Sequence, residues 1–197
     1  MSGPLVLASA SPRRKRLLEA AGLVFSVRPA GIDESLVDGE DAVQATMRLA
    51  LAKTAAVASK AGRSELVLGA DTTVACQGLI LGKPSGPTEA RDTLMLLAGR
   101  NHTVFTAWAL AWSLAGDGGF VFARSGITRS TVRMREFTRA EAVEYVAEGE
   151  ALDKAGAYAV QGSGRRLVAA VWGSYDNVIG LPVEQVCRAL RAEGLRS

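Results

Sequence analysis

Two long runs rich in β-branched and aromatic residues decide the fold class: HTVFTAWALAWSL over residues 102–114 and FVFARSGITRSTVRM over residues 120–134. The glycine-rich segment Gly116-Asp117-Gly118-Gly119 lies between them, and such a segment typically connects two antiparallel strands. The remaining chain alternates short apolar runs with helical patterns, which favours a sheet flanked by helices. Because a purely parallel sheet has no place for a long hairpin, we predict an α/β fold with an elongated mixed β-sheet and two lobes with a central cleft.

Outward from this hairpin, turn and cap residues delimit the other elements. Ser11 and Pro12 are a typical helix start after the apolar run 5–8, and Gly22 is a typical helix end. Thr138 and Glu141 have the spacing of a capping box. The other predicted elements are strands at 24–27, 65–70, 73–75, 79–81 and 167–172, helices at 41–61, 88–97 and from Pro182 to Gly194, and a polar loop over 149–165.

Composition indicates one globular domain over residues 1–197. Apolar residues make up 48% of the chain and the formal net charge is only +3, which disfavours disorder. The apolar run Val104–Leu114 is interrupted by Thr106 and is shorter than the roughly 20 residues that a membrane span requires. Apolar residues surround Cys76 and Cys187, so both are predicted to be buried free thiols.

The order and spacing of basic residues bear on location and partners. Basic residues follow the first apolar run instead of preceding it, which is the reverse of the order in a signal peptide, so we expect a cytoplasmic protein. Basic residues concentrate at 13–16 and along 124–139 without a regular interleaving of aromatic residues. This pattern disfavours a nucleic-acid partner.

The ends of two predicted strands carry candidate site residues. Ser9, Arg13 and Arg14 lie at a helix N-terminus, where backbone N–H groups, the helix dipole and two cations favour an anion such as phosphate. An ordinary helix start with solvated arginines explains the same residues, so both interpretations stay open. Asp71 follows the predicted strand 65–70, where a carboxylate could hold a metal ion or activate water, or instead bind the backbone of its own turn.

Predicted loops supply further charged and polar candidates, and long loops of this kind are often functional. These candidates are Asp33, Glu34, Lys83, Asp153, Lys154 and Gln161. Taken singly, a solvated lysine or carboxylate explains each charged position. Together, carboxylates and cations on separate loops suit metal-assisted hydrolysis of a phosphoanhydride.

Patterns of several common enzyme classes are missing. The sequence has no Gly-x-Ser-x-Gly elbow, no Walker phosphate loop and no Gly-x-Gly-x-x-Gly after a strand. Its single histidine, His102, is interpreted as a polar residue on an edge strand and not as a member of a catalytic triad.

Six segments together resemble the Maf family and follow the family's order over nearly the whole chain. They are Leu7-Ala8-Ser9-x-Ser11-Pro12-Arg13-Arg14, Gly69-Ala70-Asp71-Thr72, Gly82-Lys83-Pro84, Leu97-x-Gly99-Arg100-x-His102-x-Val104-x-Thr106-Ala107, Asp153-Lys154-Ala155-Gly156-Ala157-Tyr158-x-x-Gln161-Gly162 and Gly173-Ser174-Tyr175-x-x-Val178-x-Gly180-Leu181-Pro182. The resemblance implies a nucleoside triphosphate pyrophosphatase that splits the α–β phosphoanhydride into a nucleoside monophosphate and pyrophosphate. It also implies the fold of the inosine triphosphate pyrophosphatases, an active site between two lobes, and a homodimer.

The same resemblance implies roles for single residues. Asp71 occupies the position of the proton acceptor, and it either takes a proton from water directly or holds Mg²⁺ or Mn²⁺ together with Glu34. Family members often have two adjacent glutamates where this chain has Asp33-Glu34. The residues implied to bind the substrate are Ser9, Arg13, Arg14, Lys53, Thr72, Lys83, Asp153, Lys154 and Gln161. Among them, the three lysines resemble phosphate-facing lysines, and Asp153 would orient Lys154 or the metal.

Substrate preference follows from three positions. Arg13, Thr72 and Gln161 match the branch of the family that acts on dTTP and UTP, whereas the branch that acts on 7-methyl-GTP tends to have Trp, Gln and Glu there. A glutamine amide can both donate to and accept from a pyrimidine edge. The resemblance leaves two alternatives: action on 7-methyl-GTP or a broad set of modified nucleotides, and a nucleotide-binding regulator of septum formation without turnover.

Overall fold

A computed structural model describes residues 3–114 and 118–195, and its strands belong to a seven-stranded mixed sheet flanked by helices. The elements in chain order are β1 (Leu5–Leu7), α1 (Pro12–Ala20), β2 (Phe25–Val27), α2 (Ala42–Ala58), β3 (Leu66–Cys76), β4 (Leu79–Leu81), α3 (Pro87–Leu97), β5 (Asn101–Ser113), β6 (Phe120–Met134), α4 (Arg139–Ala147), β7 (Val168–Trp172), α5 (Tyr175–Ile179) and α6 (Val183–Ala192). This order confirms the predicted α/β class with a mixed sheet.

The chain divides into two compact units, in agreement with the expected two lobes. Unit 1 comprises Met1–Asp71, Thr106–Thr128 and Gly180–Ser197, and unit 2 comprises Thr72–Phe105 and Arg129–Ile179. A single domain over the whole chain stays a prediction. Within the described ranges, every helix is too short or too polar to cross a bilayer.

The core of unit 1 lies on both faces of a parallel part of the sheet. Strand β1 pairs in parallel with β2 on one side and with β3 on the other. Leu7 belongs to an apolar cluster with Leu18 of α1 and Leu190 of α6. Val6, one residue out of phase, belongs to a second cluster with Val57 of α2. Because adjacent strand residues point to opposite faces, helices cover both sides of β1, which explains its uninterrupted apolar sequence.

The two long strands that decide the fold class are neighbours in the sheet. Residues 114–119 connect β5 to β6, and Leu114 N donates to Gly119 O over 2.8 Å. A connection this short requires antiparallel strands, as predicted. Residues 115–117, which include part of the predicted glycine-rich turn, lie outside the described residues.

Strand β3 is longer than predicted. It does not end at Asp71 but continues to Cys76, and Val74 then pairs with Leu81 of the antiparallel strand β4. The strands predicted at 73–75 and 79–81 thus form an antiparallel hairpin, and Gln77 and Gly78 both adopt positive φ angles, the geometry of a tight two-residue turn. Asp71 is therefore a residue inside a strand.

Unit 2 contains more regular and more buried structure near the C-terminus than the sequence indicates. The predicted polar loop 149–165 includes 3₁₀ turns at Ala155–Ala157 and within Gly162–Leu167, and residues 156–160 are buried. The short helix α5 lies between β7 and α6, where the sequence predicts no helix. Strand β7 pairs with the end of β6 in antiparallel orientation, with Val132 opposite Val171.

The structure corrects two predictions about chemically reactive side chains. His102 is not on an edge strand, because β5 lies between β3 and β6, and the side chain is only 3% exposed. Cys76 and Cys187 are free thiols as predicted, but only Cys76 is buried and Cys187 is half-buried.

Candidate active site

Lys53 is the centre of the candidate active site in unit 1. Its Nζ donates a hydrogen bond to Asp71 Oδ1 over 2.6 Å and lies 2.8 Å from Glu34 Oε1. Lys53 and Asp71 are 7% and 5% exposed, whereas Glu34 is exposed. The structure thus brings together three of the residues predicted for catalysis, metal binding and phosphate binding.

Gly69 explains why Lys53 reaches Asp71. A Cβ atom at Gly69 would lie 2.2 Å from Thr54 Oγ1 and 2.7 Å from the Thr54 backbone nitrogen. Helix α2 therefore packs on β3 more closely than a larger residue would permit. Gly69 and Asp71 share a face of β3, and Lys53 is next to Thr54 on α2. This close approach of helix and strand sets the short distance between the ammonium and the carboxylate.

Asp71 lies beyond the carboxyl end of β1, although it is inside β3. The pairing of β1 with β3 extends to Leu7 opposite Leu68, and Ala8 N donates to Leu68 O over 2.8 Å. Asp71 is further along β3, and Ser9 follows β1 at the same edge. Ligands of α/β proteins bind outside the carboxyl ends of parallel strands, so this edge is a suitable place for a substrate.

The first loop is fixed by a buried arginine. Arg14 Nη1 donates to Ser9 Oγ over 3.1 Å, and Arg14 Nε donates to Gly180 O over 2.8 Å. Ser9 Oγ also accepts a hydrogen bond from Ser11 N. Ser11 is the N-cap residue of α1, as predicted, but its own side chain makes no capping hydrogen bond.

The burial of Arg14 excludes one of the two interpretations, that of a solvated arginine. Arg14 is 7% exposed, so it is not a solvated arginine, and Arg13 is half-buried. Burial lowers the pKa of the Arg14 guanidinium below its usual range, and the negative charges of Asp71 and Glu34 act in the opposite direction. The positive charge of Arg14 therefore acts on Asp71 and Glu34, which together with Lys53 form the Lys53 cluster.

Two predicted phosphate-binding lysines lie on connected loops of unit 2. Gly156 N donates to Gly82 O over 3.1 Å, which ties the loop of Lys83 to that of Lys154. Lys154 Nζ donates to Glu150 O over 2.7 Å and lies 2.5 Å from Asp153 Oδ1. Asp153 thus contacts Lys154, as expected of a residue that orients it. Lys83 is exposed.

Glu150 organises the segment around Gln161 and is a residue that sequence reasoning missed. Its Oε2 atom accepts hydrogen bonds from Tyr145 Oη, Ser163 Oγ and Gly164 N over 2.9–3.1 Å. Gln161 is exposed, and it lies between this anchored turn and the buried residues that precede it. No local sequence pattern predicts this role of Glu150, because its partners lie both before and after it in the sequence and meet only in the folded chain.

Thr72 is half-buried and is the next residue along β3 after Asp71. Its proposed contact with the substrate rests on the family resemblance alone.

The two carboxylates beside Lys53 are hard oxygen donors of the kind that Mg²⁺ prefers. Within residues 3–114 and 118–195, no group of three or more His, Cys, Asp or Glu residues could hold a metal ion. Glu34 and Asp71 both approach the same ammonium group, so two hard oxygen donors converge here. Mg²⁺ is typically held by one or two carboxylates, with water and substrate phosphates completing its shell. The donor set therefore suits such an ion and not a site made only of protein ligands.

Comparison with known proteins finds relatives that match nearly the whole chain. A protein named dTTP/UTP pyrophosphatase from Moorella thermoacetica is 47% identical over 192 residues, which cover 97% of this chain and 95% of that protein. A second protein of the same name, from Syntrophus aciditrophicus, is 42% identical over 190 residues, covering 96% and 90% of the two chains. The structure of a HAM1 protein from Coxiella burnetii aligns over 98% of this chain and 100% of its own, with 16% identity and a TM-score of 0.46.

A family model described as Maf-like protein matches residues 4–193. This match spans all six sequence segments that indicate the resemblance. The chain therefore belongs to the Maf-like protein family.

Proposed function

We propose that this protein hydrolyses dTTP and UTP at the α–β phosphoanhydride and releases the nucleoside monophosphate and pyrophosphate. The observation that carries the proposal is the buried Asp71 carboxylate held by Lys53 beside Glu34. The comparisons support the same proposal, because relatives that match nearly the whole chain are named dTTP/UTP pyrophosphatase.

In this proposal Asp71 accepts a proton from the attacking water. Lys53 fixes one oxygen of the Asp71 carboxylate and offsets the repulsion between Asp71 and Glu34, so that two anionic groups can share one site. Arg14, buried and pinned to Ser9, adds positive charge where an anionic substrate would bind. Hydrolysis adds the elements of water across the α–β P–O bond, and the leaving pyrophosphate takes the bridging oxygen.

Glu34 and Asp71 would hold Mg²⁺ or Mn²⁺ in this site. When bound, such a cation lowers the pKa of its water ligand and neutralises charge on the phosphates. The protein's own contribution is the pair of carboxylates and the buried ammonium that keeps them together.

The remaining predicted residues extend the proposal to substrate binding. Ser9 and Arg13 would bind the triphosphate or the base in unit 1. Lys83 and Lys154 would bind phosphate, with Asp153 orienting Lys154. Thr72 and Gln161, together with Arg13, would favour a pyrimidine base. The homodimer and the cytoplasmic location also stay predictions.

Product analysis tests the proposal. Purified protein is incubated with Mg²⁺ and, in parallel, with UTP, dTTP, CTP, GTP and 7-methyl-GTP, and nucleotides and pyrophosphate are separated and quantified. We expect UMP and dTMP with equimolar pyrophosphate, and the highest kcat/KM for UTP and dTTP. Preference for 7-methyl-GTP would overturn the specificity, release of UDP and phosphate would overturn the bond assignment, and no turnover with either Mg²⁺ or Mn²⁺ would favour a nucleotide-binding regulator.

A further inference from the structure

Glu34 lies in a segment that cannot be held in place by burial. The connection between β2 and α2, residues 28–41, contains neither helix nor strand. Residues 33–39 are all exposed. The 2.8 Å contact between Glu34 and Lys53 therefore depends on polar contacts that fix this segment to the rest of unit 1.

Arg48 of helix α2 supplies such contacts. Its Nε and Nη2 atoms lie 2.5 and 2.7 Å from the two carboxylate oxygens of Glu40, a two-pronged pairing. Its Nη2 also donates to the backbone carbonyl of Ser35 over 3.0 Å. One guanidinium thus connects α2 to both the end of the segment and the residue that follows Glu34.

Hydrogen bonds inside the segment extend this hold on both sides of Glu34. Asp33 Oδ1 accepts from Ser35 N and Ser35 Oγ over 2.9 and 2.6 Å. Glu40 Oε2, already paired with Arg48, accepts from Val37 N over 3.1 Å. The residues before and after Glu34 are therefore bonded to each other, and the following turn is bonded to the Arg48–Glu40 pair.

We propose that Arg48 and Glu40 are positioning residues that hold Glu34 against Lys53, an inference that rests on the proposed function of Glu34 in the active site. Helix α2 then supplies both contacts that position Glu34: Lys53 binds the Glu34 carboxylate, and Arg48 fixes the backbone next to Glu34. The planar guanidinium matters because it can bind a carboxylate with two parallel bonds and still reach a carbonyl, which an ammonium cannot do.

The competing explanation is an ordinary surface ion pair. The side chains of Arg48 and Glu40 are 36% and 14% exposed, and ion pairs near the surface contribute little to stability. An ordinary ion pair predicts that replacing Arg48 changes stability only slightly and that any effect on kcat is the same with or without Glu34. The positioning role predicts a loss of turnover that vanishes when Glu34 can no longer act.

A double-mutant cycle separates the two explanations. Arg48→Ala is expected to lower kcat for UTP by about 10–100-fold, the range seen when groups that orient active-site ligands are removed, with a smaller change in KM. In a Glu34→Gln background the same substitution is expected to cause no further loss. Glu40→Gln, a milder change, should show the same pattern with a smaller loss. Arg124→Ala, which breaks the exposed Arg124–Glu193 ion pair of the same unit, is the control and should retain the wild-type kcat.

Hydrogen exchange gives a second readout that does not need turnover. Peptides covering residues 33–40 should exchange faster in Arg48→Ala and in Glu40→Gln than in the wild type or in Arg124→Ala. The positioning role would be overturned if both Arg48→Ala and Glu40→Gln retained the wild-type kcat. It would also be overturned if Arg48→Ala lowered kcat equally in the wild type and in Glu34→Gln, or if the exchange of these peptides did not change. Absence of nucleotide hydrolysis by the wild type would instead refute the proposed function, and the exchange measurement would still decide whether Arg48 holds the segment.

Discussion

Lys53 Nζ and Asp71 Oδ1 are 2.6 Å apart in the interior of unit 1, one on helix α2 and the other on strand β3. A buried carboxylate and a buried ammonium are each unfavourable alone, and each is tolerated here because the other is present. Glu34 adds a second negative charge at the same ammonium from the exposed side. The pair therefore combines a structural requirement with the carboxylate that is proposed to accept the proton, and the two roles can be tested separately.

Replacement of Asp71 tests its chemical role. Asp71→Asn keeps the shape and can still accept a hydrogen bond from Lys53, but it removes the group that takes the proton. We expect kcat for UTP to fall by at least about a hundredfold, the usual contribution of a general base. Asp92→Asn, on the exposed side of α3, is the matched control and should retain full activity. Wild-type turnover in Asp71→Asn would show that the base has been assigned to the wrong residue.

Replacement of Lys53 tests the structural side of the pair. Lys53→Met leaves the buried Asp71 carboxylate without its ammonium, and removal of one partner of a buried pair costs about 3–5 kcal/mol. We expect urea unfolding at pH 7 to show a loss in this range. The double variant Lys53→Met/Asp71→Asn should be more stable than the sum of the single changes, because no uncompensated charge remains. Strictly additive losses would mean that the two groups do not interact in the folded protein.

Gly69 allows a test of the close approach of helix and strand. In Gly69→Ala the new methyl group would meet the backbone nitrogen of Thr54 at 2.7 Å and Ala50 O at 2.9 Å, and neither can rotate away. We expect a loss of about 1–3 kcal/mol in unfolding free energy, as for other overpacked interiors, together with a lower kcat because Lys53 moves with α2.

Gly62→Ala is the matched control for this change. The three atoms nearest to its Cβ would be side-chain atoms of Glu65, at 3.5–3.9 Å. Gly69→Ala should have a lower Tm and a lower kcat for UTP than Gly62→Ala. If Gly69→Ala behaves like Gly62→Ala, the distance between α2 and β3 does not depend on the missing side chain.

Local signals in the sequence predicted many of the elements well. The capping box of Thr138 and Glu141 forms as expected, and the backbone hydrogen bond from Thr138, with Arg135 and the Thr138 hydroxyl, lowers the Glu141 pKa to about 2. Asp41 caps α2 in the same way. Such patterns are readable because donor and acceptor are separated by only three residues.

Features that depend on distant partners were not predictable in this way. The sequence predicts a strand that ends before Asp71, because a carboxylate is unfavourable inside a strand and the compensating Lys53 belongs to a different element. The region 156–160 was expected to be a polar loop, but its alanines, Tyr158 and Val160 are buried in unit 2. The family resemblance named Glu34, Lys53 and Asp71 together, whereas composition and spacing alone did not connect them.

The last prediction concerns acid stability and depends on His102. Its Nε2 lies 2.7 Å from Tyr158 Oη, and burial lowers the pKa of the imidazole from 6.5 to about 4. Between these values the unfolded chain binds a proton that the folded chain does not, so unfolding becomes easier as the pH falls from 6.5 towards 4. The difference corresponds to at most about 3 kcal/mol, and below pH 4 both states carry the proton and the effect no longer grows.

Urea unfolding of the wild type and of His102→Gln at several pH values between 4.5 and 7 checks this prediction. The chain has a single histidine, so the variant removes the only imidazole that titrates in this range. Glutamine is neutral throughout and can retain a hydrogen bond to Tyr158. The stability difference between the two proteins should therefore move in favour of the variant as the pH is lowered. A difference that stays constant with pH would mean that the folded protein accommodates the charged imidazole.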